Sequence, residues 1–231
     1  MNTRRAIILF LRDEREEGLL KPLPLECVAG GYRQLNRTIA ERLIASTDPS
    51  TDLVVVGTAP VKGLATLPQK GTNFSERITN AFRDTFALGY QQAVMVGNDC
   101  PTIAPNEIAA AFAALDQGFA VSAAPARDGG AYIIGLAAGR VNFTEFAALP
   151  WQTEVLFAGL LQLPEAVSVG PVRADFDTWR TAAARRALRQ FIGFTNGALT
   201  PSPIQPYSRS PHSMWMALAR PHLPAPPSHR R

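Results

Sequence analysis

Along the chain, short unbroken apolar runs alternate with longer stretches in which apolar residues recur every three or four positions. Residues 6–11 (AIILFL), 52–57 (DLVVVG) and 93–97 (AVMVG) are of the first kind and predict buried strands. Residues 31–46 are of the second kind, with Leu35, Ile39 and Leu43 four apart on one helical stripe. Residues 74–88 place Ile78, Phe82 and Phe86 on one face, with Asn73 and Glu76 at capping-box spacing in front. Pro105 suits a first helical turn and opens an Ala-rich helix over 105–117, whose expected cap, Ala104, is a poor one. Residues 119–124 and 131–137 read as strands on either side of Arg127-Asp128-Gly129-Gly130. A short helix near 143–148, a helix over 152–162, a strand over 166–173 and an Arg-rich helix from about 178 to 191 follow. The stretches 12–26 and 58–72 read as loop and turn. This alternation predicts an α/β fold.

Composition narrows the chemistry. Hydrophobic residues make up 46% of the 231 and charged residues 18%, which excludes a disordered chain and a coiled coil. All three histidines, His212, His222 and His229, stand in the last twenty residues. Residues 1–211 therefore hold no imidazole, and a histidine base, a Ser-His-Asp triad, a Cys-His pair and a His-rich zinc site are excluded there. Chemistry in that stretch rests on carboxylates, arginine, hydroxyls, backbone dipoles or a hard metal ion.

The net charge of +4 belongs to one end. Residues 195–231 contain Arg209, Arg220, Arg230 and Arg231, eight prolines and no acid. The first 194 residues balance at 19 basic and 19 acidic, so no basic nucleic-acid-binding face is expected. The expected organisation is one domain over 1–194 and a Pro- and Arg-rich tail over 195–231, where Met214-Trp215-Met216 either docks on the body or stays loose. Ala6–Leu11 is too short for a signal-peptide core, and no run approaches the ~18 apolar residues of a membrane span. Two cysteines, Cys27 and Cys100, with no spacing that asks for pairing, suit a reducing, cytoplasmic compartment.

Three short stretches carry candidate chemistry. Gly97-Asn98-Asp99-Cys100-Pro101 ends an apolar strand, where an α/β sheet binds its ligands. Asp99 there either holds a divalent cation, Mg²⁺ or Mn²⁺ by the hardness of its oxygens, or caps the next turn. Asp128-Gly129-Gly130 either brings backbone close to a ligand or makes a two-glycine hairpin turn with a solvated carboxylate. Asp175-Phe176-Asp177-Thr178 precedes the last helix, where Asp177 either completes a metal site or acts as an N-cap. Cys100 reads as a small buried hydrophobe.

Taken together and in order, these stretches resemble the nucleotide-diphospho-sugar transferase superfamily with the GT-A-like fold. Within it, the chain looks like the radical-SAM/selenodomain-associated transferases, a bacterial group. The resemblance spans roughly residues 5–192. One motif is met by Gln69, Gly71, Phe74, Glu76 and Arg77, with Ser75 in place of a glycine. A second is met by Val96, Gly97, Asp99, Cys100 and Pro101, with Asn98 in place of a serine. A third is met by Asp128, Gly129, Gly130, Ile133, Ile134 and Gly135, with Ala131 and Tyr132 in place of an aromatic pair. Phe146, Trp151, Thr153 and Val155 follow, then Asp175, Asp177 and Thr178. The phosphate loop after the first strand departs from the pattern. Only Gly18 and Lys21 match, Pro22-Leu23 replaces a Thr-Arg pair, and acids occupy 13, 14, 16 and 17.

The resemblance implies a mostly parallel central sheet with helices on both faces, Rossmann-like in layout. It implies a nucleotide or nucleotide-sugar donor and a small-molecule acceptor. Gly18, Lys21, Gln69, Arg77, Gly129 and Gly130 are the implied donor-binding residues, Asp99 and Asp128 the catalytic ones, and Asp99 with Asp177 the ligands of Mg²⁺ or Mn²⁺. Three functions fit: glycosyl transfer, nucleotidyl transfer with release of pyrophosphate, and a non-catalytic binding module that keeps the fold.

Overall fold

The strands of this protein are apolar without alternation because both faces of their sheet are covered. In the computed structural model, residues 3–12, 31–46, 48, 50–58, 66–98 and 103–173 are described. Gly18, Lys21, Asp99, Cys100, Asp177, Cys27, the helix expected over 178–191 and the tail lie outside the described residues.

The described elements run β1 (Arg5–Leu11), α1 (Gly31–Ser46), β2 (Thr51–Gly57), β3 (Thr66–Pro68), α2 (Phe74–Ala87), β4 (Gln92–Gly97), α3 (Pro105–Asp116), β5 (Val121–Pro125), β6 (Ala131–Ala137), α4 (Phe143–Ala147), α5 (Leu156–Leu161) and β7 (Ala166–Ser168). The seven strands form one sheet in the order β3-β2-β1-β4-β6-β5-β7. All are parallel except β6, which runs antiparallel to both β4 and β5. The expected α/β fold with a mostly parallel sheet is what the chain adopts.

Side-chain alternation along the central strands sends successive residues to opposite faces. Ile7, Leu9 and Leu11 join Val55, Val94, Val96 and Ile133 under α1 and α3. Ala6 and Ile8 join Val54, Val56, Met95, Ile134 and Leu136 on the opposite face, under α2, α4 and α5. At the centre of that second face Phe82 and Phe146 are fully buried with their rings edge-to-face at 5.7 Å.

Several boundaries differ from expectation for local reasons. β3 falls inside the stretch read as turn; three residues carry no periodicity. The helix expected over 152–162 begins at Leu156, because Gln152 has a positive φ of 62° and breaks the regular spiral. The strand expected over 166–173 is interrupted after Ser168, since Gly170 turns left-handed (φ 69°) before the chain rejoins the sheet at an Ala126–Arg173 bridge. Asn73 caps α2 as its spacing predicts, its side chain accepting from the Glu76 N–H at 2.9 Å. Glu76, however, accepts from Thr72 rather than from Asn73. Ala104 offers α3 no side-chain cap, and Glu107 compensates by accepting the Ala104 N–H at 2.7 Å.

Candidate active site at the carboxyl ends of the strands

Parallel strands joined by helical crossovers put the C-termini of β1, β2 and β4 and the N-termini of α1, α2 and α3 at one rim. Helix starts leave backbone N–H groups unpaired and carry a positive partial charge, so this rim favours anions. Gln69, Arg77, Asn98 and the Asp128 turn all occupy it.

On the β1–β3 side, Gln69 ties the rim together. Its backbone N–H reaches the Gly57 carbonyl at 3.0 Å and its side-chain Nε2 reaches the Leu11 carbonyl at 2.7 Å. That carbonyl belongs to the last residue of β1. Arg77 donates Nε to the Gly71 carbonyl at 3.3 Å, and its η nitrogens have no partner among the described residues. Glu76, between them in sequence, is held below the usual carboxylate range by the Thr72 N–H and then by the Thr72 hydroxyl.

In the middle, β4 ends at Gly97 and leads through Asn98 to Asp99. The Asn98 side chain is only 6% exposed and donates Nδ2 to Asn36 Oδ1 at 3.1 Å; Asn36 is 3% exposed. A polar pair buried this well must satisfy itself, and it fixes the residue preceding Asp99 against α1.

On the β5–β6 side, Asp128 is exposed and accepts the Gly130 N–H on Oδ1 at 2.9 Å, closing an Asx turn. Its Oδ2 has no partner among the described residues. Gly129 has φ 89°, and a Cβ there would overlap the carbonyl of Glu154. The Phe157 N–H donates to the Gly129 carbonyl at 3.0 Å. Gly129 is therefore required by chain packing: its turn docks backbone to backbone on residues 154–157. Residues 126–130 close the turn between β5 and β6, with the Ala126 N–H donating to the Gly130 carbonyl at 2.9 Å.

Phe146 and Trp151 belong to the aromatic cluster on the same face of the sheet. Trp151 packs on Phe146 at 5.1 Å and on Phe74 at 6.2 Å, and its indole N–H donates to the Phe146 carbonyl at 3.1 Å. Phe74 in turn meets Phe10 of β1 at 6.2 Å. Ser75 donates to the Ala147 carbonyl and joins α2 to α4.

Two residues at this rim escape a motif search. Asn36 stands three, four and seven positions before Ile39, Ala40 and Leu43, all buried, so it lies on the buried stripe of α1. A polar residue on an apolar stripe was the available signal. Glu107 stands four positions before buried Ala111 and is 4% exposed. It accepts from Arg173 Nε at 2.7 Å, from the Tyr132 hydroxyl at 3.2 Å and from the Ala104 N–H. Burial, then the Glu107 carboxylate, pushes the Tyr132 phenol up to about 12. The hydrogen bond to Glu107 raises Arg173 above its ordinary value, so the guanidinium stays charged.

The described part of the rim thus carries Gln69 and Arg77 on its β3 side, Asn98 at its middle and the Asp128 turn on its β5–β6 side. No group of three His, Cys, Asp or Glu side chains suited to a metal occurs among the described residues, and the candidate ligands Asp99 and Asp177 lie outside them. No helix among the described residues is long and apolar enough to cross a membrane.

Residues 32–153 match the family described as uncharacterized protein conserved in bacteria (DUF2064). No curated protein matches the sequence. A structure from Desulfovibrio desulfuricans G20, provisionally assigned as a nucleotide-diphospho-sugar transferase, shares 19% identity and superposes with a TM-score of 0.62, over 84% of this chain and 98% of that one. A homolog of Mycobacterium tuberculosis rv0371c, from Mycobacterium sp. strain JC1, shares 15% identity with a TM-score of 0.54, over 84% of this chain and all of that one. These two likenesses show a shared fold. A complex of Rv0371C from Mycobacterium tuberculosis H37Rv with manganese shares 13% identity at a TM-score of 0.49, over 81% of this chain and 99% of that one. The manganese is a property of that protein. The family match covers more than half of the 231 residues, and the chain belongs to the DUF2064 family.

Proposed function

From that membership and the layout of the rim, we propose that this chain is a transferase using a nucleotide-activated donor, and that the reaction is glycosyl transfer from a nucleotide-diphospho-sugar. The narrower kinship with the radical-SAM/selenodomain-associated transferases is part of the proposal and rests on the ordered motifs. One observation carries the reading: the end of β4 stands between Gln69 and Arg77 on one side and the Asp128 turn on the other. A donor and an acceptor can meet across it.

Asp99 and Asp177 are the proposed ligands of Mg²⁺ or Mn²⁺. The fit is chemical: the donors are carboxylate oxygens, residues 1–211 contain no histidine, and hard cations take oxygen ligands. When bound, such a cation supplies neutralisation of the charge that develops on the departing diphosphate. Arg77 offers its unpartnered η nitrogens to phosphate oxygens. Gln69, whose Nε2 is spent on Leu11, keeps its amide oxygen for a donor group of the nucleotide. Gly18 and Lys21 are assigned to the donor phosphates, and Gly129 and Gly130 to the wall beside the sugar. Asp128 keeps Oδ2 to accept a proton from an acceptor hydroxyl, so no histidine is needed.

The test is Mn²⁺-dependent hydrolysis of UDP- and GDP-sugars by the full chain and by Asp99→Ala. The reading expects turnover in the first and its loss in the second. Equal background rates in both would contradict it, and pyrophosphate release from a nucleoside triphosphate in the presence of a phosphorylated acceptor would assign nucleotidyl transfer instead.

A further inference from the structure

Glu107 is the one acidic side chain buried among the described residues. Acids in the first turn of other helices, Glu76 and Glu145, stay exposed while helping their helix starts. Capping therefore accounts for Oε2 of Glu107, on the Ala104 N–H, but not for its burial or for Oε1. Oε1 accepts from Arg173 and from Tyr132, whose hydroxyl also reaches the Pro171 carbonyl at 3.0 Å. The segment so gripped is held by three further hydrogen bonds. Val169 and Arg173 donate to Ala123 and Pro125 of β5, and Arg173 accepts from the Arg127 N–H; at Gly170, left-handed between them, a Cβ would crowd the Tyr132 hydroxyl. Ala104 follows Asp99 by five residues, and Arg173 precedes Asp177 by four.

We propose that Glu107 is a positioning residue that fixes the chain segment after Asp99 to the segment before Asp177, with one carboxylate oxygen on each. The inference rests on the proposed function for the meaning of those two aspartates; the coupling itself is a property of the described residues. A buried carboxylate paired with a charged guanidinium is costly to leave half-made, so the two segments move together or not at all. Outer contacts of this kind orient metal ligands without touching the metal.

Two measurements on the full chain test it. In the metal-free protein, hydrogen exchange is followed in peptides covering 99–107, 171–180 and β1. Glu107→Gln keeps the shape of the side chain and removes its charge. It is expected to speed exchange about tenfold in both of the first two peptides and to leave β1 unchanged. A rise confined to 99–107 would mean a helix cap only and would overturn the inference. Should Glu107→Gln fail to fold, Tyr132→Phe removes a single hydroxyl from the same cluster and is expected to loosen 171–180; no change there would overturn the inference. In the second measurement Mn²⁺ alone is titrated by calorimetry into wild type, Asp99→Ala, Glu107→Gln, Arg173→Gln and the double variant. Each single change in the Glu107–Arg173 pair is expected to weaken binding about tenfold or more. The double is expected to weaken it no further than either single, since the two act as a unit. Wild-type affinity in Glu107→Gln would overturn the positioning role while leaving the metal reading intact. Absence of Mn²⁺ binding in both wild type and Asp99→Ala would remove the metal reading, and the exchange data would still decide the coupling.

Discussion

At the amino ends of the strands, arginines close the structure. Arg4 lies over the Tyr90 ring at 4.6 Å and donates to the Leu88 carbonyl at 3.1 Å, while the Tyr90 hydroxyl donates to Asp52 at 2.9 Å. Arg5 donates to both oxygens of Asp116, at 2.5 and 2.7 Å, and to Gln92 at 3.1 Å. Arg140 meets Glu165 at 2.5 Å. At the carboxyl ends the materials differ: an amide pair (Asn36 and Asn98), an exposed carboxylate in a glycine turn, three helix starts and one buried ion pair. One rim spends its charges on itself. The other keeps donors, a positive partial potential and a carboxylate oxygen without a partner among the described residues, which is the condition for binding a charged ligand.

The sharpest break of this contrast is functional. Asp99→Ala is expected to lower metal-dependent turnover by about a hundredfold or more and to leave the melting temperature nearly unchanged. Arg5→Ala should do the opposite, with full turnover and a lower melting point. Paired kinetic and thermal measurements of both variants check this; a loss of turnover in Arg5→Ala matching that in Asp99→Ala would erase the division between the rims.

Next in size is Gly129→Ala. The added methyl meets the Glu154 carbonyl at a positive φ, which is expected to cost about 2–4 kcal/mol. Denaturant unfolding measures it. Such a loss shows that the carboxyl rim also contains positions serving stability; a change under about 0.5 kcal/mol would mean that the turn and residues 154–157 separate freely.

How far these roles were legible in the sequence depends on where each constraint comes from. β1, β2 and β4 announce themselves because burial on both faces forces an unbroken apolar run. α2 announces itself through Ile78 and Phe82 and through Asn73, since cap and stripe are local. Gly129 was visible as a glycine, but its reason was not: the Glu154 backbone that excludes a side chain lies twenty-five residues away in sequence. Glu107 was hidden in a helix that composition marks as Ala-rich, and its partners Arg173 and Tyr132 are 66 and 25 residues distant. β3 was hidden because three residues have no period. The contacts that shape the site are long-range, and motif spacing does not encode them.

Arg5→Ala itself is expected to cost about 1 kcal/mol or less, because the Asp116 partner is half exposed and solvent screens the pair. Chemical denaturation at low and high salt measures it, with the smaller loss at high salt.

The last effect is one of pH and compares one tyrosine from each rim. Burial pushes both Tyr90 and Tyr132 up to about 12, with Asp52 and Glu107 as the second causes. Both phenols ionise more readily unfolded than folded. The stability this contributes is complete below pH 10 and declines as pH rises toward 12. Tyr90→Phe and Tyr132→Phe should each flatten part of that decline in urea-unfolding series between pH 9 and about 12. An unchanged slope in both would show that neither phenol is held neutral by its surroundings.

The proposed donor site is tested most directly by a crystal structure of the full chain with Mn²⁺ and a sugar nucleotide, read by the anomalous signal of the metal. The predicted result is a manganese peak at the carboxyl rim on oxygens of Asp99 and Asp177, with the diphosphate reaching toward Arg77. A peak bound only at the amino rim, or a nucleotide held with no contribution from Asp99, would contradict it.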